Sequence, residues 1–269
     1  MIPPLPTPAQ AHRLRVVLVV LVLLALASVL VLRIALVPHG KADIVRLELA
    51  TSGADFKAAL LADWQQEAQD PAYPNDPSKT LDPLCGLGLP HAAGSAAVPH
   101  FGQLRCNLFV DSLGLVPGYV GLLVYFTLSF VPLAWGTVRR HLCCGAALAA
   151  GLFDIAENGM TARSLDDLIL FVLADATVAD VRHASQAKWL LLALACAVLG
   201  HLLFWHGAAA GDRAWRRRAA VLVAAAAPLL VAGAYIWRTG IGLGLLAMMV
   251  ALAVLAWRQW LITKPGAVV

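Results

Sequence analysis

The strongest constraint in this sequence is a series of uncharged apolar stretches, each long enough to cross a lipid bilayer as a helix. The first runs for seventeen residues from Val16 to Leu32, and apolar residues continue past Arg33 to Val37. Because Arg33 near a helix end can extend its charge to the membrane surface, we expect one span here. Five further stretches of about 20 residues run over 113–138, 142–160, 189–206, 219–237 and 239–257.

Composition supports the same class of protein. Hydrophobic residues make up 60% of the 269 residues and charged residues 13%, and the mean hydropathy is +0.76. A soluble domain usually has about 45–50% apolar and about 25% charged residues. We therefore predict an all-α polytopic membrane protein with a six-helix transmembrane bundle, and we exclude a soluble nucleotide-binding or nucleic-acid-binding domain.

The six stretches divide the chain into three parts. Residues 1–37 form an N-terminal tail and the first transmembrane helix, residues 38–112 a Pro-rich exported segment, and residues 113–269 a five-helix membrane domain. The alternative for the first part is a cleaved signal peptide with its site at Ala25-Leu26-Ala27. The apolar run continues past that site, which favours an uncleaved anchor.

Basic residues predict the orientation of the bundle. With both termini in the cytoplasm, one side of the membrane carries ten basic residues and a single acidic residue, Asp212. The other side carries ten basic and thirteen acidic residues, so the positive-inside rule favours this topology in a bacterial inner membrane. The ten cytoplasmic residues are Arg13, Arg15, Arg139, Arg140, Arg213, Arg216, Arg217, Arg218, Arg258 and Lys264.

The exported segment of 75 residues holds several local signals. Residues 44–50 alternate as a short strand would, and Ser52-x-x-Asp55 indicates the start of a helix through Glu67. Six prolines between positions 71 and 99 indicate a loop. Cys85 and Cys106 share an oxidising compartment in this topology, which favours a disulfide; the alternative is two unpaired thiols.

A second exported stretch, 161–188, carries two more helix-start signals, at Ser164-x-x-Asp167 and Thr177-x-x-Asp180. Between them the apolar residues 168–174 are too few to cross a bilayer. They predict an interfacial or re-entrant helix.

Three polar residues in the third span form the most informative motif. Asp154, Glu157 and Asn158 are spaced so that one helix face carries all three. Ionisable groups inside a bilayer are costly, so this face must meet the bundle interior or a hydrated cavity. Asp111, Tyr119 and Lys188 stand at the same membrane side in the predicted topology.

We therefore expect a pocket open to the outer leaflet, in which Asp111, Tyr119, Asp154, Glu157, Asn158 and Lys188 bind a lipid headgroup, a small polar ligand or a cation. The alternative is an internal ion-pair network, in which Lys188 with Arg105 or Arg163 neutralises the carboxylates.

Several short motifs together resemble an uncharacterised family of small bacterial multipass membrane proteins. The resemblance covers residues 44–200 and rests mainly on Asp154-x-x-Glu157-Asn158 in a span. The other matching strings are Leu47-Glu48-Leu49-Ala50, Leu61-Ala62-Asp63-Trp64, Asp111, Pro117-Gly118-Tyr119 and Lys188-Trp189. The resemblance implies a multipass membrane protein and no particular activity.

Three functions stay open from the sequence. The first is a binding protein for a polar ligand; the second is a membrane-embedded hydrolase or transferase that uses Asp154 and Glu157 on a lipid substrate. The third is an assembly factor with a protein partner at the exported segment. The sequence indicates membrane lipids and no nucleic acid as partners, and it leaves catalytic residues, metal ligands and cofactors unassigned.

Overall fold

The computed structural model describes residues 8–30, 44–59, 104, 107–130, 137–169, 173–205 and 213–263. Within these ranges helices are the only regular secondary structure, which confirms the predicted all-α class. The chain divides into two compact units. Unit 1 comprises Met1–Ala25, Pro117–Leu152 and Ala187–Val269, and unit 2 comprises Leu26–Val116 and Phe153–Gln186.

The described part of the chain contains two short helices and six long ones. The helices are α1 (Pro8–Leu30), α2 (Ile44–Glu48), α3 (53–59), α4 (Asn107–Phe130), α5 (Thr137–Ile169), α6 (Asp175–Trp205), α7 (Arg213–Tyr235) and α8 (Thr239–Thr263). Helix α4 contains a π-helical turn over Asp111–Leu115.

Four of these helices are long and apolar enough to cross a membrane: α4, α6, α7 and α8. They correspond to the second, fourth, fifth and sixth predicted spans, and they indicate an integral membrane protein. The first predicted span is described only as far as Leu30, and the third lies in α5, whose apolar part carries Asp154 and Glu157. A bundle of six spans therefore stays a prediction.

Helices α1 and α4 pack closely in unit 1 through two glycines. A Cβ atom on Gly118 would lie 2.9 Å from Cβ and 3.0 Å from Cα of Ala25, and one on Gly121 would meet the side chain of Leu21. As the chain advances along α4, its contacts move back along α1, so the two helices are antiparallel. The Tyr125 hydroxyl donates to the Leu14 carbonyl at 3.1 Å and extends this contact.

The next contacts in unit 1 join α4, α5 and α6. The Thr127 hydroxyl and the Cys143 thiol are 3.1 Å apart, and Cys143 Sγ also donates to the Ala195 carbonyl at 3.4 Å. All three residues are buried. In the described residues Cys143, Cys144 and Cys196 are free cysteines, so this contact is a packing contact between helices.

The remaining contacts of unit 1 join α6 to α7, α7 to α8 and α8 to α1. Gly200 of α6 packs on Ala224 of α7, and Gly233 of α7 packs on Ile241 of α8. The Arg15 guanidinium of α1 lies 5.1 Å from the ring centroid of Trp260 of α8. Pro228 lies inside α7, which continues through it; such a residue is tolerated where neighbouring helices surround the backbone.

Unit 2 has an apolar core of its own. Phe56 is fully buried in it and is the largest of its side chains. Helix α3, to which Phe56 belongs, starts as predicted, because the Ser52 hydroxyl accepts a hydrogen bond from the Asp55 amide at 3.1 Å. The core consists of Leu47, Ala50, Phe56, Ala59, Leu104, Leu165 and Val178, with Leu173 packed against it.

Two local predictions are wrong. The strand over 44–50 is helix α2, whose Leu47, together with Ala50 just beyond its end, faces the core at helical spacing. Ser164 does not start a helix, because α5 runs through it and its hydroxyl donates to the Met160 carbonyl at 3.0 Å. The predicted interfacial helix over 168–174 stays a prediction, because residues 170–172 lie outside the described residues; of the rest, 168–169 belong to α5 and 173–174 are non-helical. Helix α6 then begins at Asp175, two residues before the predicted Thr177.

Several predictions lie outside the described residues. They are the Pro-rich loop, the predicted continuation of a helix from residue 60 to Glu67, and the Cys85–Cys106 disulfide. These stay predictions.

Candidate functional site

The polar face of α5 lies in unit 2 and is buried. Asp154 is 7% exposed, Glu157 0% and Asn158 4%. One turn further on, Thr161 continues the same face and is 1% exposed. Four consecutive positions of this face therefore carry oxygen or amide groups, and all four are buried.

Asn158 joins this face to the π-helical turn of α4. Its Nδ2 donates to Asp111 Oδ2 at 2.8 Å and to Ser112 Oγ at 3.0 Å. The Ser112 hydroxyl in turn donates to the Leu108 carbonyl at 2.8 Å, so the acceptor of Asn158 is itself held in place. π-Helical turns occur frequently at functional sites, and this one carries a carboxylate. Two predicted site residues, Asp111 and Asn158, are thus brought into direct contact.

Thr161 differs from its neighbours in its hydrogen bonding. Among the described residues, its buried Oγ1 atom has no hydrogen-bond partner. A buried hydroxyl without a partner costs about 1–3 kcal/mol, so such atoms are uncommon in folded proteins. Because Thr161 lies on the polar face of α5, its hydroxyl can hydrogen-bond to a group that binds there.

A further buried carboxylate of unit 2 was not predicted as a site residue. Glu48 of α2 is 5% exposed, and its Oε2 accepts a hydrogen bond from the Ser185 hydroxyl at 3.1 Å. Glu48 is in one of the family-like strings, but its short apolar context indicated a strand. Ser112 was also missed, and its only sequence signal is its place beside Asp111.

Basic groups in the described part of unit 2 are less buried than these acids. Lys57 and Arg163 are exposed, and Arg46 and Arg182 are half-buried. Arg163 was one of the two arginines predicted for an ion-pair network, and the other, Arg105, lies outside the described residues.

The two other predicted site residues belong to unit 1. Tyr119 is buried in α4, and Lys188 is buried in α6 with its Nζ 4.4 Å from the ring centroid of Trp189. A cation this close to an indole face is stabilised by the ring. The part that Tyr119 and Lys188 play in a site stays a prediction.

Within the described ranges, no group of three or more His, Cys, Asp or Glu side chains is placed so that it could hold a metal ion. Comparison of the chain with protein-family profiles, with curated proteins and with solved structures gave no match.

Proposed function

We propose that this protein is a multipass protein of the bacterial inner membrane that binds a polar ligand at the polar face of α5, which carries Asp154, Glu157 and Asn158. The ligand presents a cationic or hydrogen-bond-donating group, as an amine-bearing lipid headgroup, a small polar amine or a cation does. In the proposed topology both termini are cytoplasmic and the site opens to the outer leaflet.

The arrangement of Asn158 carries this proposal. An amide that donates to Asp111 fixes that carboxylate in place, and it does so beside two more buried carboxylates on its own helix. Ionised carboxylates only accept hydrogen bonds, and Thr161 adds a hydroxyl with no partner among the described residues. Such a face suits a ligand group that donates hydrogen bonds and carries positive charge.

Charge supports the same class of ligand. The sequence of unit 2 contains fifteen acidic and eight basic residues. This excess of negative charge favours a site that binds a cationic group, because the unit attracts positively charged ligands and repels negatively charged ones.

Lipid binding by matched variants tests the site. The purified full-length protein is incubated with a short-chain sphingosine, an amine lipid without a phosphate, or, separately, with dioctanoylglycerol, which has no amine, and bound lipid is counted by native mass spectrometry. We expect the wild-type protein to retain the amine lipid, and Asp154→Asn and Glu157→Gln to lose it, because both keep shape while removing charge. Asp180→Asn, an exposed acid of the same unit, is the matched control and should bind normally.

The ion-pair alternative predicts a different outcome. If Asp154 and Glu157 serve only to neutralise charge, replacing them together with Lys188 by apolar residues of similar size should leave a stable protein. A stable triple variant that retains the same lipid as the wild type would overturn the binding site. Equal retention by all single variants would do the same.

Reporter fusions test the proposed topology independently of the ligand. A fusion after Thr161 should report the outer side and one after Gly211 the cytoplasm. The reverse pattern would overturn the orientation. A protein partner at the exported segment is a further proposal, and crosslinking from that segment in intact cells tests it.

A further inference from the structure

Unit 1 is strongly basic. Its sequence contains twelve Lys and Arg residues and one acidic residue, Asp212, which lies outside the described residues. The described part of the unit therefore holds no carboxylate side chain. The twelve basic residues are Arg13, Arg15, Arg139, Arg140, Lys188, Arg213, Arg216, Arg217, Arg218, Arg238, Arg258 and Lys264.

Arginines from three helices meet aromatic rings at one end of unit 1. Each contact joins the first turns of one helix to the last turns of another, so these helix ends lie together. Arg216 at the start of α7 lies over Phe130 at the end of α4, with Cζ 5.7 Å from the ring centroid. Arg258 near the end of α8 lies over Trp215 at the start of α7, at 5.6 Å.

These two arginines flank a single aromatic pair. The ring centroids of Phe130 and Trp215 are 5.9 Å apart in an edge contact. Arg216 is 8% exposed, and its Nη2 donates to the Phe130 carbonyl at 3.1 Å, so its position is fixed by both a ring and a hydrogen bond. The rings orient the guanidinium groups but contribute no negative charge.

A third arginine stands at the same end. Arg15 of α1 lies over Trp260 of α8, and its buried Nε has no hydrogen-bond acceptor among the described residues. The preceding residue, Leu14, is tied to α4 through the Tyr125 hydroxyl. A donor that is fixed, buried and without an acceptor in the described chain is where an external acceptor would bind.

We propose that Arg15, Arg216 and Arg258 bind a phosphate group at this end of unit 1. The planar guanidinium fork matches two oxygens of a phosphate, and aromatic stacking preorganises it for that contact. The phosphate belongs either to the headgroup of an anionic lipid or to a free phosphate ion. This site involves a different unit and the opposite ligand charge from the site at α5, so each proposal stands or falls separately.

Binding of phosphate-bearing probes to the full-length protein tests the proposal. Delipidated protein in neutral detergent is titrated with dioctanoyl phosphatidylglycerol, with inorganic phosphate, and with dioctanoylglycerol, which lacks the phosphate. We expect binding of the phosphatidylglycerol and none of the dioctanoylglycerol. If inorganic phosphate displaces the lipid, a free phosphate also occupies the site; if it does not, the lipid is the source.

Single arginine variants separate a built site from a general charge effect. Arg216→Gln and Arg258→Gln should each weaken binding by about tenfold or more, because each removes charge-assisted hydrogen bonds. Arg218→Gln is the matched control, since it removes the same charge from an exposed position of the same helix, and it should change affinity by less than about threefold. If the Arg216→Gln variant does not fold, the Arg258→Gln variant tests the proposal by itself, because the Arg258 side chain is only half-buried. Absence of binding by the wild type, or an equal loss in the Arg218 variant, would overturn the proposal.

Discussion

Replacing Gly118 by alanine should force α1 and α4 apart. The added Cβ would lie 2.9 Å from Cβ, 3.0 Å from Cα and 3.1 Å from the amide nitrogen of Ala25. Two of these three atoms are backbone, so no flexible side chain can move to make room. The methyl group is accommodated only if the helices separate.

The size of the effect follows from a matched control. Alanine gains about 1 kcal/mol over glycine in a helix interior, and overpacking a tight contact costs about 1–3 kcal/mol. Gly145 in α5 has no atom within 4 Å of an added Cβ, so Gly145→Ala receives the gain without the cost. The propensity gain cancels between the two variants, and their free energies of unfolding should differ by about 1–3 kcal/mol.

Reversible unfolding in mixed micelles of SDS and a mild detergent measures this difference. Gly145→Ala should unfold at a higher SDS fraction than the wild type, and Gly118→Ala at a lower fraction than Gly145→Ala. Equal midpoints for the two variants would mean that the α1–α4 contact is looser than the structure has it, and the packing argument would fail.

Three further predictions concern unit 2 and the exported segment. Ser185→Ala removes a hydrogen bond from the buried Glu48 carboxylate and should lower the free energy of unfolding by about 1–3 kcal/mol, measured in the same titration. Leu165→Ala leaves a cavity beside Phe56 in the core and should cost about 2–5 kcal/mol, seen as faster proteolysis of the folded protein. Cys85 and Cys106 should form a disulfide that closes a loop of about 20 residues, worth about 3 kcal/mol in the chain-entropy model. Finding both thiols free by non-reducing mass mapping of alkylated membranes would contradict it.

Much of the helical architecture was predictable, because the positions of the charged residues mark where the long apolar helices lie. The fourth predicted span ends where α6 ends, near Trp205, and the sixth begins where α8 begins, at Thr239, since a bilayer span tolerates few charges. The ends of helices outside the apolar runs were not predictable. Ser164 serves equally well as a helix cap or as a mid-helix residue that bonds back to its own turn, and only the folded chain decides between them.

The candidate site was likewise predictable only in part. The helical spacing of Asp154, Glu157 and Asn158 predicted a shared face, and burial of all three agrees with it. The hydrogen bond between Ser185 and Glu48 was out of reach, because 137 positions separate the two residues in the sequence. Residues 44–50 were predicted as a strand because so short an apolar run fits the period of a strand and that of a helix. In the structure, the packing of Leu47 into the core of unit 2 favours the helix.

The contact between Arg15 and Trp260 bears on how the protein is made. The ribosome makes α1 before α8, yet in unit 1 a side chain of α1 lies against a ring of α8. While α4 to α7 are being synthesised, the Arg15 side chain has no Trp260 ring to contact. This contact therefore forms late in the assembly of unit 1, and a chain that stalls before α8 would lack it.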